Sequence, residues 1–349
     1  MEGRYVMDTN RMKALVLEKP FRLVCKEVPT PVMEKNDVLL EIETISICGS
    51  DIHAYLGKQA LYTYPKIPGH EICAKVAADK TNTFSKGDKV IVMPYLSCRE
   101  CAACRHGKGN CCENLRVYGV HIEGGLAEYL SVPKDYILKV PEKIDAETAA
   151  LIEPFAISAH AVKRAQIGYG DKILVAGAGP IGLGVAEIAK TYGAEVVIAD
   201  TSEDRLCFVR ENFEYEHTLN PMSEDYREQI KDLTKGQYFR RIIDTSGNNH
   251  SMENNIHMLA FGGRMVYVGI YKGSLQIDDV AFHKRETELL GSRAATYEDF
   301  QYVLKCIEDK KIKPEKFITH RANFSEAEQA FKEWIEQGTK VFKAMIYMK

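Results

Sequence analysis

The chain has 349 residues, 45% hydrophobic and 27% charged, with a formal net charge of -3. That length exceeds one ordinary core and suits two domains. A slightly acidic chain without a basic tract argues against nucleic acid or an anionic membrane as partner, so a small molecule is expected. The opening MEGRYVMDTN has no apolar stretch like that of a secretory leader, and no run reaches the ~20 residues of a membrane span, so a cytoplasmic location is expected. The first ten residues are expected to be disordered.

The first third reads as strands. KALVLE, FRLVCKEV, DVLLEIETISI, EICAKVA and DKVIVM are apolar or alternating runs separated by Pro, Gly, Asn and Asp. A helix is predicted over Ala149–Ala165, where Ile152, Phe155, Ala156, Ala159 and Val162 repeat near a 3.6 period. From Asp171 the rhythm changes. Strand KILVA, helix PIGLGVAEIAKTYG, strand EVVIAD, helix TSEDRLCFVREN, strand RIIDTSG, a helix near Asn254–Leu259 and strand RMVYVG alternate. Such alternation implies crossover units and a parallel sheet near residues 159–296. Helix returns after Tyr297, and VFKAMIYM looks like a last strand.

Gly177-Ala-Gly179-Pro180-Ile181-Gly182 follows KILVA and opens a helix. Gly177 permits a tight turn, Gly179 lets backbone approach a pyrophosphate, and Gly182 allows helix and strand to pack closely. Free N–H groups at the helix start attract phosphate. Asp200 ends the second strand, where a carboxylate accepts ribose hydroxyls and repels the extra phosphate of NADP, so NAD is the expected cofactor. Arg205, in the following helix, joins the candidate cofactor contacts.

Of ten cysteines, Cys98, Cys101, Cys104, Cys111 and Cys112 crowd into one short stretch. In a long chain this reads as metal binding rather than disulfides. Cys98, Cys101, Cys104 and Cys112 supply four thiolates for a tetrahedral structural zinc, with Cys111 a competitor for the fourth place. A second group pairs Cys48 of CGSDIH with His70 and Glu71 of GHE. Thiolate, imidazole and carboxylate leave a fourth position open, as catalytic zinc requires. Glu153 sits in the apolar run ALIEPFAISAHAV, where a carboxylate is costly unless paired or metal-bound. It is either a member of the zinc site or a helix-start Glu favoured by the dipole. Glu71 and Glu153 could also divide the work, one as ligand and one behind it.

These features, in this order and over essentially the whole chain, resemble the zinc-dependent medium-chain alcohol dehydrogenase family. Glu71 and Glu153-Pro154 are similar to its polyol and threonine dehydrogenase branch, within which HEIC at 70–73, LIEPFAISAHAV at 151–162 and GSRAATYEDF at 291–300 resemble the sugar-acid dehydrogenases. One departure is Ala74, where the family usually has Gly after GHE. The resemblance implies an α/β protein: a GroES-like β-rich catalytic domain, residues 1–158 and 297–349, plus a doubly wound Rossmann domain, residues 159–296. It implies one catalytic and one structural zinc per chain, NAD, and a homodimer or homotetramer. The implied reaction oxidises a secondary hydroxyl of a sugar acid or polyol to a ketone, with the proton leaving through Ser50 and His53. Arg293 falls where such enzymes place a substrate-contacting Arg, and a guanidinium suits a carboxylate. A surface ion pair is its alternative. Tyr55 and His121 are further pocket candidates, Tyr55 alternatively packing its loop. Other substrates of the branch, and a non-catalytic zinc protein for sensing or regulation, are the competing readings. The intact Ser50/His53 pair argues against the last.

Overall fold

Strand Asp37–Ile47 is the spine of the first unit. Its eleven residues alternate toward a core through Val38, Leu40, Ile42 and Ile45, all buried. In the computed structural model, which describes residues 11–59 and 62–348, this strand pairs with Glu71–Asp79, with Tyr129–Pro133 and with Lys343–Tyr347. Lys89–Val92, Ile137–Lys139 and Ile318–Asn323 complete a seven-stranded sheet. The expectation for the first ten residues lies outside the described residues.

The return of the chain is explicit in this sheet. Ala344 stands opposite Ile47, almost three hundred residues earlier in sequence. Helix Ala327–Gln337 brings Phe331 and Trp334 into the core that also holds Leu15, Val38 and Ile72. Each such side chain contributes about 2–3 kcal/mol of burial, so the C-terminal segment is integral to this unit.

The second unit carries six parallel strands: Lys172–Ala176, Glu195–Ala199, His217–Leu219, Phe239–Asp244, Leu259–Tyr267 and Glu288–Gly291. Counted along the unit, their order across the sheet is 3-2-1-4-5-6, all parallel. This is the doubly wound dinucleotide-binding topology.

Several predicted elements shift. The helix expected over Ala149–Ala165 is two helices, Ala146–Ala150 and Ile152–Ala165. Pro154 has no N–H to give the carbonyl of Ala150, so the ladder breaks at Leu151. The helix expected near Asn254–Leu259 is present as a 3-10 turn, Asn255–Met258, that continues an α-helix begun earlier at Asn249–Asn254, where Asn248 caps the start by accepting from Ser251 N at 3.2 Å. The second unit runs Pro154–Lys316, and the first joins the chain up to Glu153 with the segment from Phe317. The later boundary thus falls at 316/317 rather than 296/297. Helix Tyr297–Glu308 stays in the second unit through two contacts: Asp299 accepts from His160 at 2.7 Å, and the Tyr302 and Thr191 hydroxyls meet at 2.6 Å. Among the described residues, no helix is long and apolar enough to cross a membrane.

Candidate active site and metal centres

Sheet register builds the mixed metal group. Ser46 lies opposite Glu71, so the end of Asp37–Ile47 and the start of Glu71–Asp79 are neighbours. Cys48 caps the short helix Gly49–Tyr55 just beyond that end. Gly69 precedes His70 with φ +93, a conformation that side chains other than glycine's rarely adopt. Ligand atoms of Cys48, His70 and Glu71 consequently lie within 4.8 Å of one another.

Charges around this group are buried and arranged in pairs. Asp51, at the third position of the short helix, accepts from Cys48 N at 3.0 Å and from Gly69 N at 3.2 Å. It thereby ties the two ligand-bearing segments together, and its Oδ1 stands 3.7 Å from His70 Nδ1. Burial alone would lower the pKa of His70, but Asp51 and Cys48 outweigh it and hold the imidazole well above its ordinary value. Glu71 is wholly buried, and Lys343 Nζ donates to both its oxygens at 2.5 and 2.6 Å. Burial also opposes the Lys343 charge, yet Glu71 raises its pKa above the usual lysine range. Glu153, 4% exposed, accepts a hydrogen bond from the Tyr95 hydroxyl. Burial, reinforced by Glu71, pushes the Glu153 carboxyl up to about 7.

The donor set fits zinc. A thiol sulfur, an imidazole nitrogen and a carboxylate oxygen converge within 4.8 Å of one another, with His70 and Glu71 buried. Glu153 is not one of this converging set and stands next to it, held by Tyr95.

The four-cysteine lobe is more local. Cys98, Cys101, Cys104 and Cys112 bring their sulfurs within 4.8 Å of one another, with Sγ–Sγ separations of 3.4 to 4.0 Å among the bonded pairs. A tetrahedron with bonds of about 2.3 Å requires sulfurs about 3.8 Å apart, so the set fits one zinc. Backbone N–H groups of Glu100 and Cys101 pull the Cys98 thiol down to about 6. Cys112 is buried in the group, whereas Cys111 is exposed and outside it.

Other candidates are placed as follows. Ser50, half-buried, and His53, exposed, stand three residues apart on helix Gly49–Tyr55. Tyr55 does not line a pocket: it is 3% exposed, packs on Phe21 and Phe331, and donates to Phe21 O at 3.3 Å. Its position two residues after His53 turns it to the core side of that short helix. His121 closes a turn, its Nδ1 accepting from Val117 N at 3.1 Å. Arg293 is exposed just after strand Glu288–Gly291 in the second unit.

In the second unit Gly177 has φ +101, and a Cβ on Gly182 would lie 1.7 Å from Gly177 O. Helix Pro180–Thr191 follows, capped by Gly179, with Pro180 and Ile181 in its first turn. Asp200 lies one residue beyond the end of strand Glu195–Ala199 rather than within it, and its oxygens already accept from Ala178 N and Ser202 N, each at 2.7 Å. Arg205 Nη1 lies 3.5 Å from Asp200 Oδ2.

Sequence reasoning missed Asp51, Tyr95 and Lys343. Asp51 sits inside CGSDIH and reads as a spacer. Lys343 leaves one faint signal, a lysine within the apolar run VFKAMIYM.

Residues 34–142 match the alcohol dehydrogenase GroES-like domain, and residues 180–309 match the zinc-binding dehydrogenase domain. L-galactonate-5-dehydrogenase of Escherichia coli K12 is 43% identical over 96% of this chain and 98% of its own length. D-xylulose reductase A of Aspergillus oryzae is 31% identical, over 92% of each chain. A crystal structure described as short chain alcohol dehydrogenase (rspB) from E. coli CFT073, complexed with cofactor NADH, superposes with a TM-score of 0.91. It is 30% identical and covers 97% of this chain and 100% of that one. With both domains matched and the ligand-bearing motifs assembled in space, this chain belongs to the zinc-type alcohol dehydrogenase family and is an oxidoreductase.

Proposed function

We propose that this enzyme oxidises a secondary hydroxyl of a sugar acid to a ketone with NAD, and that its substrate is L-galactonate, giving D-tagaturonate. The convergence of Cys48, His70 and Glu71 carries the reaction class. The 43% identity to L-galactonate-5-dehydrogenase, over nearly the full length of both chains, supports the substrate.

Cys48, His70 and Glu71 would hold the catalytic zinc, and Cys98, Cys101, Cys104 and Cys112 the structural one. Bound zinc supplies Lewis acidity at the substrate hydroxyl, and bound NAD accepts the hydride. The protein's own part is proton handling and orientation. Ser50 Oγ takes the hydroxyl proton, and His53, exposed on the same helix, delivers it to solvent. Glu153 stands beside the metal ligands as a buried carboxyl fixed by Tyr95. The Gly177–Gly182 turn and the start of helix Pro180–Thr191 would seat the pyrophosphate, with Asp200 and Arg205 at the adenosine ribose. Arg293 would pair with the substrate carboxylate, which favours a sugar acid over a neutral polyol. Assembly as a homodimer or homotetramer belongs to the same reading.

The test is NADH release with L-galactonate, L-gulonate, sorbitol, L-threonine and a cyclitol. L-galactonate is expected to give the highest kcat/KM. Faster turnover of sorbitol would replace the sugar-acid reading with a polyol one. In the same assay Arg293→Ala should raise KM for the acid far more than for sorbitol.

A further inference from the structure

Asp244, at the end of strand Phe239–Asp244, is a fully buried carboxylate remote in sequence from the Gly-rich turn. Its Oδ1 accepts from Ser246 N at 2.9 Å and Ser246 Oγ at 2.6 Å. Its Oδ2 accepts from Ser251 Oγ at 2.6 Å and Asn255 Nδ2 at 3.0 Å. Four donors fill the roughly four acceptor positions of an ionised carboxylate. Its backbone carbonyl accepts from Val268 N at 2.8 Å and Gly269 N at 3.2 Å.

The next residue extends these bonds toward the cofactor turn. Thr245 N donates to Ala176 O at 2.8 Å, and Thr245 Oγ1 lies 3.0 Å from Ala176 O and 3.2 Å from Gly177 O. Clearances are small. A Cβ on Gly177 would meet Thr245 Oγ1 at 2.6 Å, and one on Gly269 would meet Gly247 N at 2.2 Å. Three loops are therefore interlocked through Asp244 and Thr245: the Gly-rich turn, Thr245–Gly247 and Val268–Gly269. All lie at the carboxyl ends of adjacent parallel strands. The strand order reverses between Lys172–Ala176 and Phe239–Asp244, and a dinucleotide binds across the carboxyl ends at such a reversal.

We propose that Asp244 is a positioning residue for the dinucleotide: without touching it, the carboxylate sets the spacing of the three loops along which the cofactor lies. A carboxylate serves this better than an amide, since all four partners are donors and an Asn would turn an N–H toward two of them. The proposal rests on NAD binding to the doubly wound unit and is independent of the substrate chosen above.

The experiment measures NADH and 5′-AMP binding by titration, together with Tm, for the full-length enzyme and Asp244→Asn. NADH Kd is expected to rise about tenfold, because small misplacements of a positioned ligand are costly, while the Kd of AMP changes less than about twofold. Ser251→Ala, a milder variant that removes one donor, is expected to raise NADH Kd about two- to threefold with Tm near wild type. Should Asp244→Asn fail to fold, Ser251→Ala decides. An unchanged NADH Kd in the folded variants, or equal weakening of NADH and AMP, would reduce Asp244 to general support of the fold and overturn the proposal.

Discussion

The four-cysteine lobe and the mixed group at Cys48, His70 and Glu71 lie in the same unit, yet they are supported in different ways. All four sulfurs of the lobe come from one stretch, Cys98 to Cys112, and their neighbours are backbone N–H groups. The mixed group draws on two adjoining strands and a helix cap, and three further charged residues back it: Asp51, Lys343 and Glu153. A closed site of four thiolates needs little beyond the chain that carries it. A site with three protein ligands and one open position must be held rigid by its surroundings, because the metal alone cannot fix it. Local ligands thus suit stability, and dispersed ligands with buried charge suit chemistry.

The sharpest way to break this distinction is to remove one thiolate from each site. Cys48→Ser is expected to lower kcat/KM by about a thousandfold or more while leaving Tm nearly unchanged, since several kcal/mol of metal-derived transition-state stabilisation is lost. Cys101→Ser should release the lobe's zinc and lower Tm on the order of 10 °C, with activity lost as the fold loosens. Metal content per chain, Tm and steady-state rates measured on both variants separate the cases. Equal melting temperatures for the two would show that both sites support the fold alike.

A smaller effect tests the charge pairing that only the mixed group has. In the chelator-treated protein, where no zinc offsets it, Lys343→Met leaves the Glu71 carboxylate buried without its counter-charge, at a cost of about 3–5 kcal/mol. Lys343→Arg restores the charge and should recover most of that loss. Urea unfolding of the three proteins reads both values. If Lys343→Met matched wild type in stability, the Lys343–Glu71 pair would have no supporting role.

Locality also decided what could be read in advance. CGSDIH, GHE, the four cysteines and Gly177–Gly182 are short strings whose chemistry is contained in their spacing. Lys343 is 272 residues from Glu71 and meets it only because the last strand pairs with Asp37–Ile47. Tyr95 reaches Glu153 across 58 residues by a similar tertiary accident of register. Neither pairing has a periodic or motif signature. In the second unit, the third strand, His217–Leu219, is three residues of EHTLN and carries too little apolar pattern to be seen. The unit boundary escaped for the same reason: helix Tyr297–Glu308 is assigned by Asp299 meeting His160, not by composition.

The least of these effects concerns pH. Burial raises the Glu153 carboxyl from its ordinary 4.5 to about 7, so the folded protein holds this proton more tightly than the unfolded chain. The stability so gained is fully present below pH 4.5 and is lost as pH rises through about 7. Chelator-treated wild type should therefore lose Tm across that window relative to Glu153→Gln, which has no proton to release. Tyr95 donates to the ionised carboxylate and lowers its pKa, so Tyr95→Phe should carry the loss to higher pH. Added zinc should flatten the profile, because a nearby cation favours the ionised carboxylate. Parallel curves for wild type and Glu153→Gln would show that some other group titrates there, and would remove Glu153 from the set of charges that distinguish the two sites.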